Sequence, residues 1–419
     1  MKRIHNFSQL INVGLRGLTL GSKFLLVFFL ARFLEPAELG VYGLIVATIS
    51  YSLYLLGFDF YTYTTRELLR SNPCQWGGFL KAQGALTLLL YSVFLPLLSL
   101  VFLKELLPLR VIWWFFALVV LEHLSQELGR LLVALSEQLY ASLILFLRAG
   151  VWGIAVILVM YLDSDARSLD MVLGAWTFGS FAALLLGGLR IKYMNLSGWH
   201  KNIDWEWVVK GLKIAFSLLV ATLAIRGVFT IDRYWVEYLL GLDVLGAYVL
   251  FMGICSALMS FLDAGVFSFL YPGMVSSFQK QDSASFRQGF SKLLSQTLIF
   301  SLLFVVAALI LIEPLLVWLD KPLYSAQMVQ FPWLLFATVL YAVGMVPHFA
   351  LYAQGLDRPI IQSHILSLFV FAFACWIFSH VWAQIAVPLG LCASFLFILC
   401  WKSWSYFELT AVQYRIFQS

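Results

Sequence analysis

What this sequence lacks most is charge. Asp, Glu, Lys and Arg make up 12% of its 419 residues, about half the share found in a soluble domain. Hydrophobic residues reach 62% and mean hydropathy is +0.90, so the apolar excess has to face lipid. Cysteine is scarce too. Cys74, Cys255, Cys375, Cys392 and Cys400 form no CxxC pair and have no His at metal-ligand spacing, so neither a disulfide framework nor a metal site is expected. Also missing are G-x-S-x-G, H-E-x-x-H, Walker and glycine-rich phosphate-loop sequences, which removes the common hydrolytic and nucleotide-driven chemistries. The chain does not read as an enzyme and implies no cofactor. The strand-length alternation of an outer-membrane barrel is absent. No cleavable signal peptide is expected: Met1 to Ser8 is polar and basic, but the apolar stretch behind it is too long and has no small-residue cleavage site.

What is present is a recurrence of apolar stretches of ~20 residues, each long enough to cross a ~30 Å hydrocarbon layer as a helix. The fold class is an all-α integral membrane protein with about twelve transmembrane helices in two six-helix lobes around a central cavity. The expected spans are 9–33, 40–63, 79–103, 111–134, 139–162, 169–192, 208–233, 243–272, 291–318, 329–354, 360–380 and 383–406. The longest polar connection, Arg190 to Lys213, separates an N-terminal lobe (1–200) from a C-terminal lobe (201–419). Counting Lys and Arg in alternate loops puts seventeen on the N-terminal side of the membrane, Lys402 among them, and five on the other, with five inside or bordering helices completing the 27. The basic side is cytoplasmic, so both termini are expected there. The +5 net charge reflects this sidedness, and no nucleic-acid partner is expected.

The two lobes echo each other. A shift of 206 places Leu34, Leu39, Gly40, Tyr42 and Leu44 on Leu240, Leu245, Gly246, Tyr248 and Leu250, at the outer turn between the first and second helix of each lobe. Six helices per lobe is even, so the repeat is parallel, and a cavity is expected at the interface.

Ionisable groups at mid-bilayer are costly and normally face water or protein. On the first helix Gln9, Asn12, Arg16 and Lys23 fall within about a 60° sector, while Leu25, Val27 and Phe29 point away. On the seventh, Thr222, Arg226, Thr230 and Arg233 share a face, and Arg148 is a deep cation of the fifth. Arg16, Lys23, Arg148 and Arg226 are therefore the candidate substrate-binding cations, because Arg and Lys give charge-assisted bonds to phosphate oxygens. Snorkelling or pairing with carboxylates is the plainer role for such cations. Glu122, Glu127, Arg130, Asp59 and Asp263 are the candidate ion-coupling or cavity-lining groups. Glu127 and Arg130 are spaced to pair, Glu122 balances a cavity cation or relays protons, and Asp59 and Asp263 serve as counter-ions. His348 reads as a packed or cavity histidine.

Leu30-Ala-Arg-Phe-Leu-Glu-Pro-Ala-Glu-Leu-Gly-Val-Tyr42, followed by Leu56-Gly-Phe and Arg66-Glu, resembles the Wzx-type polysaccharide flippases, in the superfamily that also holds multidrug extruders and lipid II flippases. The run from Ile231 to Tyr248 is similar to that family's second-half signature. The resemblance implies alternating-access export of an undecaprenyl-diphosphate-linked oligosaccharide across the bacterial inner membrane. It also implies polysaccharide polymerase and chain-length components as partners. A drug or cation antiporter of the same superfamily and a membrane-embedded polymerase or ligase are the alternatives. The antiporter should carry fewer deep cations, and the enzyme a long outer loop that this chain lacks.

Overall fold

The computed structural model describes residues 2–416, with side chains described for 11–216 and 218–416. Its regular structure is helical, and no strand occurs among the described residues. In hydrocarbon every backbone N–H and C=O must be bonded within the segment, which leaves the helix as the form an apolar stretch can take alone. Eleven described stretches are long and apolar enough to cross a membrane, which makes this a multi-pass membrane protein.

The expected count of twelve becomes eleven because one stretch, Leu218–Gln279, runs for 62 residues. At 1.5 Å per residue it would be about 90 Å long, three membrane thicknesses. It is broken at Gly241, whose φ of 83° and ψ of 173° are not helical. Such a φ costs glycine nothing and other residues a clash. The seventh and eighth spans are thus the two arms of this stretch. The counterpart of Gly241, 206 residues earlier, is Glu35, which lies between the helices Lys2–Phe33 and Pro36–Gly57. Glu35 is extended (φ −64°, ψ 148°) with Pro36 after it, and proline disfavours the helical region in the residue it follows. One turn of the repeat is therefore made by proline in one half and glycine in the other.

The second expected span, 40–63, is not continuous. Its helix ends at Gly57, Phe58 and Asp59 take the left-handed conformation (φ 53° and 50°), and a new helix, Tyr61–Arg70, begins. That helix buries Tyr63, Thr64 and Leu68 and exposes Arg66 and Arg70. The third to sixth spans are Pro73–Leu103, Leu109–Ala134, Gln138–Leu162 and Leu169–Tyr193. The ninth to twelfth are Ser283–Leu319, Met328–Ala353, Asp357–Ser379 and Ala383–Leu409.

The chain divides into two compact units, residues 1–219 and 220–419. In the first, the first span packs on the fifth and the fourth on the sixth. In the second, the tenth and eleventh spans pack on the twelfth, and a core including Leu262, Phe267, Phe286, Phe290, Val346, Leu351 and Tyr406 joins the eighth, ninth, tenth and twelfth.

The long polar connection is seated on the first unit. Gly77 N–H donates to the Ser197 carbonyl at 2.8 Å, and Lys81 Nζ donates to the carbonyls of Lys201 (3.0 Å) and Trp199 (3.4 Å). A Cβ at Gly77 would lie 2.7 Å from both Ser197 O and Trp199 N. Gly77→Val should therefore lift this segment and cost about 1–3 kcal/mol, the scale of overpacking. A detergent-solubilised variant that melts at the parent's temperature would show that the seat is not tight.

Candidate functional site

In the first unit the polar side chains gather around Glu122. One carboxylate oxygen accepts from Trp176 Nε1 at 2.9 Å and from Ser180 Oγ at 2.7 Å. The other faces Arg148 Nη1 at 3.3 Å, and the same nitrogen reaches the Glu122 backbone carbonyl, also at 3.3 Å. Glu122 is buried, and a buried carboxylate persists when paired and hydrogen-bonded in this way. Arg148 comes from a π-helical turn, Leu147–Val151. The added residue in such a turn re-aims side chains and frees a carbonyl, and these turns recur at functional positions.

Small residues make the turn fit. Ser22 Oγ donates to the Gly150 carbonyl at 2.5 Å. A Cβ at Gly150 would lie 3.2 Å from Thr19 Cα, and one at Gly179 would lie 2.7 Å from the Leu147 carbonyl oxygen. Glycine at both positions lets the first, fifth and sixth helices close up at the level of Glu122. Tyr42 packs on Trp176, with ring centroids 6.3 Å apart, and Trp176 stacks on Trp152 at 5.8 Å.

The first-helix stripe reaches this site at one position. Lys23 is exposed on the unit and lies within electrostatic reach of Arg148 and Glu122. Two turns away, Arg16 Nε donates to Ser142 Oγ at 3.4 Å, and that hydroxyl donates to Asn12 Oδ1. Asn12 and Arg16 thus face the fifth helix. The side chain of Gln9 lies outside the described residues.

Below Glu122 on the fourth helix a second network forms. Arg130 pairs with Glu127 at 2.7 Å, lies over the Tyr61 ring at 3.8 Å, and Gln83 Nε2 donates to the other Glu127 oxygen at 2.9 Å. Asp59 lies within electrostatic reach of Glu127. His123 Nδ1 bonds the Tyr91 hydroxyl at 2.8 Å.

In the second unit Arg226 is exposed and within electrostatic reach of Asp263, which opens another π turn, Asp263–Phe267. Arg233, the last residue of the expected seventh span, sits inside the helix and pairs with Asp232 at 3.2 Å. Asp232 is fully buried and accepts from the Tyr248 hydroxyl at 2.7 Å.

Lys402 corrects the loop count. Expected among the cytoplasmic loop cations, it is inside the twelfth span with no exposed surface. Its Nζ lies 3.1 Å from His348 Nδ1 and 3.0 Å from His364 Nε2. A cation two residues after Cys400 and still inside an apolar run was the signal available; His364 gave none.

No known family's sequence profile matches the chain, and no curated protein does. Solved structures match in shape. An inward-facing multidrug resistance MATE family transporter of the MOP superfamily aligns with a TM-score of 0.74 at 13% identity, covering 93% of this chain and 95% of that one. A MATE structure in the bent conformation aligns at 0.55 and 13%, covering 97% and 95%. A MOP superfamily transporter from Pyrococcus furiosus, described as having a binding pocket of reverse polarity that suggests a different function, aligns at 0.54 and 12%, covering 97% and 95%. The chain is built as a two-lobed all-helical membrane protein with the fold of MATE-type transporters of the MOP superfamily.

Proposed function

We propose that this protein is an alternating-access transporter of an anionic amphiphile, an undecaprenyl-diphosphate-linked oligosaccharide moved from the cytoplasmic to the periplasmic leaflet of a bacterial inner membrane, with both termini cytoplasmic. The fold supports the transport part of this reading. The observation that carries the substrate part is charge: Lys23 lies within electrostatic reach of Arg148 and Glu122, and the Glu122 carboxylate is already held by Trp176, Ser180 and Arg148. The amine of Lys23 beside them suits a phosphate oxygen as a point charge. Arg226 is the corresponding candidate in the second unit.

The second reading is a drug or cation antiporter, and fold similarity alone favours it, since a structure of this fold is described as a multidrug resistance transporter. It would rely on Glu127, Asp59 and Asp263 as cation partners. Arg130 and Gln83 hold Glu127, which leaves that carboxylate poorly placed for an organic cation.

Reconstituted vesicles separate the two. Flipping of a fluorescent undecaprenyl-diphosphate oligosaccharide should proceed in the parent and drop at least tenfold in Lys23→Ala, while ethidium efflux is absent from both. Ethidium transport without lipid flipping would establish the antiporter instead.

A further inference from the structure

We propose that Lys402, His348 and His364 form a proton-binding site of the second unit, which holds one proton among them and exchanges it with solvent through His348. The three nitrogens meet inside the bundle: Lys402 Nζ lies 3.1 Å from His348 Nδ1 and 3.0 Å from His364 Nε2. The two imidazoles are parallel, with centroids 5.9 Å apart and planes at 11°. Lys402 and His364 are buried and His348 is partly exposed. All three lie near one end of their helices. Lys402 is seven residues from the end at Leu409, His364 seven from the start at Asp357, and His348 five from the end at Ala353, or about 7–10 Å along each axis.

One arrangement of protons suits these contacts. His364 also lies within hydrogen-bonding reach of the Ala221 backbone. With its Nδ1 carrying hydrogen towards Ala221, its Nε2 lone pair faces Lys402. An ammonium at Lys402 has three donors and no acceptor, so it can serve both lone pairs at once, with His348 in the Nε2–H form. A second proton on either ring would set N–H against N–H in a buried place.

Among the described residues, the titratable groups around the site do not supply an anion. The twelfth helix brings Lys402 and, one turn on, Tyr406, which donates to the Tyr414 carbonyl. The tenth brings His348 and Tyr352, whose ring stacks on it at 6.4 Å. The eleventh brings His364, and the seventh the Ala221 backbone. The charges felt by the two imidazoles are those of Lys402 and, at His348, of His364.

One proton can leave without breaking a contact. It moves from Lys402 Nζ to His348 Nδ1 as the hydrogen on His348 Nε2 passes to water. Lys402 becomes a neutral amine and His348 the opposite tautomer. The amine then accepts from His348 Nδ1–H and still donates to His364 Nε2. Both states keep both hydrogen bonds, so neither ring nitrogen that faces Lys402 loses its partner. Use of this proton to drive a transport cycle rests on the transporter reading above, whereas the site itself does not.

The test reads the site alone. Protein with ¹⁵N-labelled histidine in lipid bilayers is followed by NMR, which distinguishes protonated from lone-pair nitrogens, with His348→Gln and His364→Gln assigning the signals. His364 should stay Nδ1–H throughout, while His348 switches from Nε2–H to Nδ1–H as pH is raised. Lys402→Met should abolish the switch. Lys402→Arg should abolish it as well while retaining the charge, because guanidinium does not release its proton. A His348 tautomer indifferent to pH in the parent, or a switch that persists in Lys402→Arg, would overturn the proposal whatever the protein transports.

Discussion

Arg148→Ala should be the most damaging single change in the first unit, with a loss of about 3–5 kcal/mol, the usual cost of removing one partner from a buried ion pair. The variant leaves Glu122 with two neutral donors, Trp176 and Ser180, and no directly paired cation. It also removes the bond to the Glu122 carbonyl. Arg148→Lys keeps the charge but not the guanidinium and should lose less. Glu122→Gln with Arg148→Gln removes both charges and should be less destabilising than Arg148→Ala alone, because no unpaired ion remains. Unfolding in mixed micelles gives the four stabilities. If Arg148→Ala unfolds with the parent, the carboxylate is solvated and the pair does not hold the fifth helix to the fourth. The same set probes transport, since a cation needed only for packing would be dispensable in the charge-free double variant, and one that contacts substrate would not.

Much of the architecture was legible because lipid imposes one rule at a time. Apolar length dictates a span, and the backbone rule dictates a helix. The repeat was legible where a turn had to be made, since Glu35-Pro36 and Gly241 break the chain at equivalent places by different chemistry. What hydropathy cannot register is a polar residue that remains buried by finding a partner on another helix. Lys402 reads as a loop residue because a lysine ordinarily ends an apolar run; two imidazoles from separate helices allow it to remain inside. Glu122 was visible, but its partners Trp176 and Ser180 lie 54 and 58 residues away, a distance no local pattern spans. The first-helix stripe illustrates the converse. Periodicity found its face, yet only packing shows that Asn12 and Arg16 are turned to Ser142 while Lys23 is left exposed. The break at Phe58 and Asp59 was missed because neither residue is the glycine or proline that normally marks one.

The repeat also sets the last expectation. Its shared tyrosine, Tyr42 in one half and Tyr248 in the other, sits near a buried carboxylate in each unit but does different work. Tyr248 donates directly to Asp232 at 2.7 Å, whereas Glu122 takes its bonds from Trp176, Ser180 and Arg148. Asp232 has no exposed surface, and it also accepts from the Arg233 backbone N–H at 2.7 Å and pairs with its guanidinium at 3.2 Å. Asp232→Ala therefore removes the counter-charge of a guanidinium and the acceptor of a phenol together and should cost about 3–5 kcal/mol. Tyr248→Phe removes one donor from a carboxylate that keeps Arg233, so about 1–3 kcal/mol is expected. Tyr42→Phe should cost less than Tyr248→Phe, because the Glu122 carboxylate keeps all three of its donors. Phenylalanine at both positions, compared by unfolding in micelles with Asp232→Ala as reference, tests the ordering. Equal losses at Tyr42 and Tyr248 would mean that the two halves use the repeated tyrosine alike. A loss for Asp232→Ala no larger than that for Tyr248→Phe would mean that the ion pair with Arg233 contributes nothing, and that Asp232 is there only to receive the phenol.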